Sequence, residues 1–95
     1  MSGHVFHPGH EELHGITVVV NDHAGRTLVG RYHEQTPRGL ALHDVAVHDP
    51  STSSLSRAEW LGRQRKFGVQ VAHRLVIVAA TEARSLQRLA ELPAD

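Results

Sequence analysis

The sequence predicts a mainly β protein, a single small and strongly bent β-barrel of about five strands with one short helical turn. Two observations carry this prediction. Short runs of β-branched and other apolar residues alternate with clusters of turn-forming residues, which is typical of an all-β chain. One of these runs contains a central glycine, Gly30, and a glycine inside a strand marks a sharp bend or a close approach of two backbones. A length of 95 residues leaves room for one domain.

The first half of the chain predicts three strands arranged as a meander. The run over 16–20 is β-branched throughout, and turn residues follow it at 21–25. The second strand is expected over 26–34, a second turn over 35–39 and the third strand over 40–48. Consecutive strands joined by such short turns pair as antiparallel neighbours.

The third strand carries a change of phase. Its first apolar positions are Leu40 and Leu42, and its next are Val45 and Val47. The two pairs lie on opposite faces of a regular strand. One extra residue near 43–44, a β-bulge, would place all four on one face and would bend the strand.

The second half of the chain predicts a short helix and at least one more strand. Ser56 and Glu59 have the spacing of a capping box, which predicts a helical turn over about 57–65. The run over 69–79 returns to strand, and its second half is apolar at successive positions, as in a strand buried on both faces. Residues 81–92 fit either a C-terminal helix or a turn followed by a last strand.

The first 14 residues are interpreted as a flexible histidine-rich segment that precedes the barrel domain over 15–92. Four histidines recur there at intervals of three, three and four residues: His4, His7, His10 and His14. Imidazole binds zinc and nickel well, so these four form a candidate metal site. Pro8 and Gly9 interrupt the helix that would bring the four together. The expected cofactor is therefore none, with zinc or nickel as the alternative.

Three further histidines each precede a carboxylate in the sequence: His33, His43 and His48. Such pairs serve as acid–base groups in hydrolases and at metal sites. Adjacent residues on a strand point to opposite faces, however. We therefore expect these histidines to be solvated residues of strands rather than catalytic groups.

Charge is unevenly distributed along a chain whose formal net charge is zero. The net charge is −3 over residues 1–50, +4 over residues 51–74 and −1 over residues 75–95. The candidate nucleic-acid-binding residues lie in the basic stretch: Arg63, Arg65, Lys66 and Arg74. Their cations are suited to phosphates, and the rings of Trp60 and Phe67 are suited to stacking on bases. A solvated basic surface is the competing interpretation.

Several classes of protein are excluded or disfavoured. The absence of cysteine excludes a disulfide scaffold, a cysteine-ligated zinc site and a thiol nucleophile. The hydrolase, P-loop, dinucleotide and zinc-protease motifs are absent, so no enzyme activity is expected. No apolar run approaches the roughly 20 residues that span a bilayer, and the first residues lack a signal-peptide pattern. The expectation is a soluble, cytoplasmic protein without a membrane partner.

The meander resembles the first half of an Sm-like or SH3-like small β-barrel. The similarity covers about residues 13–48. The residues that carry it are Val18-Val19-Val20, the turn over 21–25, Thr27-Leu28-Val29-Gly30-Arg31 and Leu40-Ala41-Leu42-His43-Asp44. In Sm-like proteins the second strand bends at a glycine placed like Gly30. The resemblance implies a small barrel and an RNA partner.

The predicted function is a non-enzymatic interaction module that forms homo-oligomers. Open strand edges on a small barrel favour association, and the opposite charges of the two halves favour head-to-tail contacts in a ring. The expected partner is RNA, as the resemblance and the basic residues imply, or another protein. The alternative function is metal binding by the N-terminal histidines.

Overall fold

The computed structural model describes residues 14–92, which form one five-stranded antiparallel sheet with a helix against it. The strand order is β4-β3-β2-β1-β5. The elements are β1 (Thr17–Asp22), β2 (Thr27–Thr36), β3 (Gly39–His48), α1 (Arg57–Phe67), β4 (His73–Val78), β5 (Ala83–Arg88) and a 3-10 turn (Leu89–Glu91). The mainly β prediction and the number of strands are confirmed.

The sheet is not closed into a barrel by hydrogen bonds within residues 14–92. β4 and β5 lie at the two opposite edges of the sheet. β4 is paired with β3, and β5 is paired with β1. Barrel closure, and with it the Sm-like or SH3-like assignment, therefore stays a prediction. No helix in this part of the chain is long and apolar enough to cross a membrane.

A bulge at Asp44 bends β3. Val29 of β2 pairs with Ala46, whereas Arg31 pairs with His43, so β3 has one more residue than β2 across this interval. Asp44 has a φ of +54°, in the left-handed region. The bulge predicted near 43–44 from the change of phase is confirmed.

A second bulge lies on β2, where the sequence gives no change of phase. Tyr32 pairs with Leu42, and Glu34 pairs with Ala41. β2 therefore has one more residue than β3 across this interval, and that residue is His33. The two bulges lie close together along the hairpin and bend the same pair of strands.

Gly30 lies where β2 passes close to β3. A Cβ atom at this position would lie 2.9 Å from Cγ2 of Val45 and 3.2 Å from the backbone oxygen of His43. The first distance is shorter than Cβ atoms show in proteins, so a side chain here would force Val45 to shift and would press on the backbone of β3. The close approach of backbones predicted for Gly30 is confirmed.

Each face of the sheet supports its own apolar cluster. The first is formed by the strands alone and consists of Val18, Val20, Leu28, Tyr32, Leu40, Leu42, Val45 and Val78. The second lies between the sheet and α1 and consists of Val19, Val29, Ala46, Trp60, Leu61 and Leu89. Burial on both faces gives a domain of this size more apolar contact than a one-sided sheet would.

The helix α1 begins as the sequence predicts. The Ser56 side chain accepts a hydrogen bond from the backbone N–H of Glu59, and the Glu59 side chain accepts one from the Ser56 backbone N–H. This reciprocal capping box satisfies two backbone donors that helix formation leaves unpaired. The helix ends at Phe67, before Gly68, whose φ is +90°. It is slightly longer than the predicted turn over 57–65.

The last third of the chain settles one open alternative and corrects one expectation. Of the two alternatives for residues 81–92, the turn followed by a last strand is confirmed, since these residues form a turn, the strand β5 and a 3-10 turn. The strand β4 is not buried on both faces, because it lies at an edge of the sheet and most of its residues are exposed.

Candidate functional site

The most distinctive surface lies along the edge strand β4. Leu75 and Ile77 occupy alternate positions of this strand and therefore point to the same side of the sheet. Their exposed fractions are 55% and 39%, and Val71, just before the strand, is 51% exposed. We call Val71, Leu75 and Ile77 the β4 edge surface. It combines apolar side chains with the unpaired backbone N–H and C=O groups of an edge strand.

The second open edge is β5. In the described chain this strand pairs with β1 alone, through pairs that run from Val18 with Arg88 to Asp22 with Ala83. Its other side therefore presents unpaired backbone groups as well. The two unpaired edges lie at opposite ends of one sheet. Backbone donors and acceptors on one edge can pair with those on the other edge of a second molecule.

The predicted nucleic-acid-binding residues are divided between two elements. Arg63, Arg65 and Lys66 lie in the second half of α1, and Arg74 lies in β4. The Nη1 atom of Arg65 donates a hydrogen bond of 2.7 Å to the carbonyl oxygen of Leu92, so this guanidinium ties the end of the described chain to the helix. Arg65 therefore has a structural contact of its own.

The rings expected to stack on bases differ in exposure. Trp60 is only 9% exposed and belongs to the second apolar cluster. The prediction that this ring is available to a base is wrong, because the same helical face that carries it packs on the sheet. Phe67 is 69% exposed, and Nζ of Lys66 lies 5.4 Å from the centre of its ring.

The histidines of the predicted metal site lie mostly outside the described residues. This holds for His4, His7 and His10, whereas the Nδ1 atom of His14 donates a hydrogen bond of 2.6 Å to the carbonyl oxygen of His33. The ring of His33 in turn stacks on that of His43, with 4.4 Å between ring centres. Within residues 14–92, no group of three or more histidine or acidic side chains could hold a metal ion. The metal site stays a prediction.

His48 is buried, contrary to the expectation of a solvated histidine. It is 3% exposed, and its Nε2 atom donates a hydrogen bond of 2.9 Å to the carbonyl oxygen of Leu55. Its ring lies 5.4 Å from the ring of Trp60. His48 thus joins the end of β3 to the segment that leads into α1, a structural role that explains its burial.

The turn between β1 and β2 is organised by Asp22, which is 3% exposed. Its Oδ1 atom accepts hydrogen bonds from the backbone N–H groups of Ala24 and Arg26, at 3.0 and 2.8 Å. Its Oδ2 atom accepts one of 2.8 Å from Nε of Arg26. Burial raises the pKa of the Asp22 carboxyl, but the hydrogen bonds from Arg26 and its charge outweigh burial and hold that pKa below its usual value.

Replacement of Asp22 by asparagine is expected to lower the free energy of unfolding at pH 7 by about 1.5–3 kcal/mol, because hydrogen bonds to a charged group are lost. In the native protein, the stabilisation from Asp22 is complete above the pKa of the unfolded chain, about 3.9. It is lost as the pH falls from there through the lower pKa of the folded state. Urea denaturation at a series of pH values measures this dependence.

The matched control is Asp44→Asn, which removes the same charge from a carboxylate whose side chain is 45% exposed. Asparagine tolerates the left-handed backbone at this position. Asp44 forms an exposed ion pair with Arg31 at 2.9 Å, and exposed pairs contribute little to stability, so Asp44→Asn should cost less than Asp22→Asn at pH 7. An equal loss of stability in both variants would contradict the role given to Asp22.

Comparison with known proteins finds similarity to solved structures but not to known sequences. No protein-family model matches the chain, and no curated protein sequence matches it. The fold is similar to that of a chain in the crystal structure of the NatC complex bound to CoA. The TM-score is 0.55, with 20% identity over 81% of this chain and 79% of that chain. At this identity the similarity concerns the fold, and it agrees with a small, mainly β domain.

Proposed function

We propose that this chain is a non-enzymatic protein-interaction module that forms homo-oligomers, in which β4 of one copy pairs with β5 of the next. The observation that carries the proposal is the β4 edge surface. Leu75 is 55% exposed on an edge strand whose outer backbone groups have no partner in residues 14–92. An exposed apolar edge strand is a hazard for a monomer and a ready site for strand addition.

The open edge of β5 on a second copy is the occupant that fits best. Both edges belong to one continuous sheet, so a β4–β5 contact between copies would extend that sheet from one molecule to the next. Such a head-to-tail contact closes into a ring if the rotation between copies permits it. It would also bury Leu75 and Ile77 and satisfy the backbone groups of both edges.

The fold similarity supports an interaction role in general terms. The similar chain is part of a structure described as a complex, so a domain of this fold is found in a protein assembly. We therefore infer that protein surfaces, including those of further copies, are the partners of this chain. RNA, which the resemblance to Sm-like barrels implies, stays a prediction. Two observations weigh against it: Trp60 is buried, and Arg65 donates a hydrogen bond to the carbonyl oxygen of Leu92.

The proposal is tested by the oligomeric state of two charge variants. The wild-type protein is expected to run as an oligomer in size-exclusion chromatography with light scattering, and Leu75→Lys is expected to run as a monomer. Lysine on an edge strand opposes strand pairing because burial would strip its ammonium group of water. Leu75 is largely exposed, so the fold should survive the substitution.

The matched control is Phe67→Lys, which places the same charge at an apolar residue that is 69% exposed on α1. This variant should keep the oligomeric state of the wild type. A monomeric wild type at micromolar concentration would overturn the homo-oligomer. If Phe67→Lys dissociated the oligomer and Leu75→Lys did not, the interface would lie on the helix α1 instead of β4.

A further inference from the structure

A polar cavity of about 390 Å³ lies between the turn that joins β1 to β2, the first residue of α1 and the start of β5. The lining residues used below are Asn21, Arg26, Thr27, Arg57, Arg84 and Ser85. None of the basic residues singled out from the sequence belongs to this set. We propose that the cavity binds the phosphate group of a small phosphate monoester.

The cavity has an excess of positive charge. Three guanidinium groups line it, from Arg26, Arg57 and Arg84, against a single carboxylate, that of Asp22. Both oxygens of that carboxylate already accept hydrogen bonds within the turn, and Arg26 is its ion-pair partner at 2.8 Å. The charge available to a ligand therefore comes from Arg57 and Arg84.

Hydrogen bonds from its Nε atom hold the guanidinium group of Arg57 in place. Its Nε atom donates hydrogen bonds to Oδ1 of Asn21, at 2.9 Å, and to Oγ1 of Thr27, at 3.1 Å. Its two terminal nitrogens make no hydrogen bond or ion pair within residues 14–92. A guanidinium fixed in this way offers a pair of parallel donors, the arrangement that matches two oxygens of a phosphate.

The residues that hold Arg57 form a continuous chain of hydrogen bonds across three strands. Thr27, which is 1% exposed, donates from Oγ1 to Oδ1 of Asn21 at 2.9 Å. Nδ2 of Asn21 donates to Oγ of Ser85, also at 2.9 Å. Because Ser85 accepts this bond, its own hydroxyl hydrogen remains able to donate to a ligand. The network prepares the site before a ligand arrives, which lowers the entropic cost of binding.

Arg84 supplies the second cation from the neighbouring strand. Asn21 pairs with Ser85 and Asp22 with Ala83, so Arg84 is left at an irregularity in the ladder between β1 and β5. No hydrogen bond or ion pair engages its guanidinium in the described part of the chain. Arg57 and Arg84 thus reach the same cavity from the helix and from the sheet.

The volume and the lining favour a small phosphorylated molecule. A cavity of about 390 Å³ is within the range of small-ligand sites, which begins near 300 Å³, and is larger than an inorganic phosphate requires. The polar lining suits a hydroxylated carrier such as a sugar better than an apolar one. The phosphate could also be the terminal phosphate of an RNA, and the experiment separates the two sources.

The test is isothermal titration of the full-length protein, in its solution oligomeric state and at low salt, with ribose 5-phosphate and with inorganic phosphate. Arg57→Gln and Arg84→Gln are expected to weaken binding of ribose 5-phosphate by about tenfold or more, as the loss of a charged hydrogen bond predicts. Arg63→Gln removes the same charge from α1 outside the cavity and should change the affinity less than about twofold.

Arg84→Gln keeps the proposal falsifiable if Arg57→Gln disturbs folding, because Arg84 takes no part in the hydrogen-bond network. Absence of binding by the wild type at millimolar ribose 5-phosphate would overturn the proposal. An equal loss of affinity in all three variants would mean that the ligand is held by general electrostatic attraction and not by the cavity, which would also overturn the proposal. Displacement of ribose 5-phosphate by a short 5′-phosphorylated RNA at a far lower concentration, and not by the same RNA without its 5′-phosphate, would assign the site to RNA ends instead.

Discussion

Replacement of Gly39 by alanine is expected to lower the free energy of unfolding by about 3 kcal/mol or more, through steric overlap in a packed strand pair. Gly39 has a φ of +139°, which a side chain rarely permits, and a Cβ atom there would overlap the carbonyl oxygen of Val78. The backbone of β4 would have to move away from β3 to make room. Urea denaturation followed by circular dichroism measures the loss.

The same substitution at Gly62 should have the opposite sign. Gly62 lies inside α1, and a Cβ atom there would meet no other atom within 4 Å. Alanine in an exposed helix interior is favoured over glycine by about 1 kcal/mol. Gly62→Ala is therefore expected to stabilise the protein by a similar amount. If the two substitutions changed the free energy of unfolding equally, Gly39 could not lie as close to the backbone of β4 as the structure places it.

Replacement of Trp60 by alanine is expected to cost about 3–5 kcal/mol, the usual range for an aromatic residue removed from a core. Trp60 is 9% exposed, lies among the residues between α1 and the sheet, and contacts the buried ring of His48. A loss of this size is a large part of the total stability of a small domain, about 5–15 kcal/mol. Thermal denaturation should show a much lower midpoint or no cooperative transition.

Phe67→Ala is the matched control on the same helix. Phe67 is 69% exposed, and Nζ of Lys66 lies 5.4 Å from the centre of its ring. Its removal should change the free energy of unfolding by no more than about 0.5–1 kcal/mol. If Phe67→Ala proved the more damaging of the two variants, α1 would have to present its other face to the sheet.

Features that depend on neighbouring residues could be predicted from the sequence. The helix start at Ser56 needs only a hydroxyl and a glutamate three residues later, and both hydrogen bonds of the capping box are present. The bulge at Asp44 follows from a change of phase that is visible along one strand. The bulge at His33 could not be found in this way, because the residues that follow it on β2 are polar and show no phase.

The exposure of β4 depends on information that the strand itself does not contain. A run such as residues 75–78, apolar at successive positions, is typical of a strand covered on both faces. Whether a strand is covered depends on the strand order, which places β4 at an edge. In the proposed oligomer a second copy would cover Leu75 and Ile77, and the apolar pattern would then reflect burial in the assembly.

The arginine-lined cavity was missed because its residues are distant in the sequence. Arg57 lies in the basic stretch over 51–74, but Arg26 lies in a half whose net charge is −3, and Arg84 lies in a third segment of net charge −1. A count of net charge by sequence segment therefore places the three arginines in three separate segments. Pairing of β1 with both β2 and β5 brings Arg26 and Arg84 to one place. Arg57 reaches it from α1 through its hydrogen bonds to Asn21 and Thr27.

The two bulges also constrain how this hairpin can change in length during evolution. Each strand of the pair contains one extra residue, His33 on β2 and Asp44 on β3, so the register beyond both bulges is the same as the register before them. Loss of one bulge alone would stagger the ends of the two strands at their turn. It would also reverse the inward and outward positions along part of one strand. Insertions and deletions in this hairpin are therefore coupled, and its viable lengths differ by compensating pairs of residues.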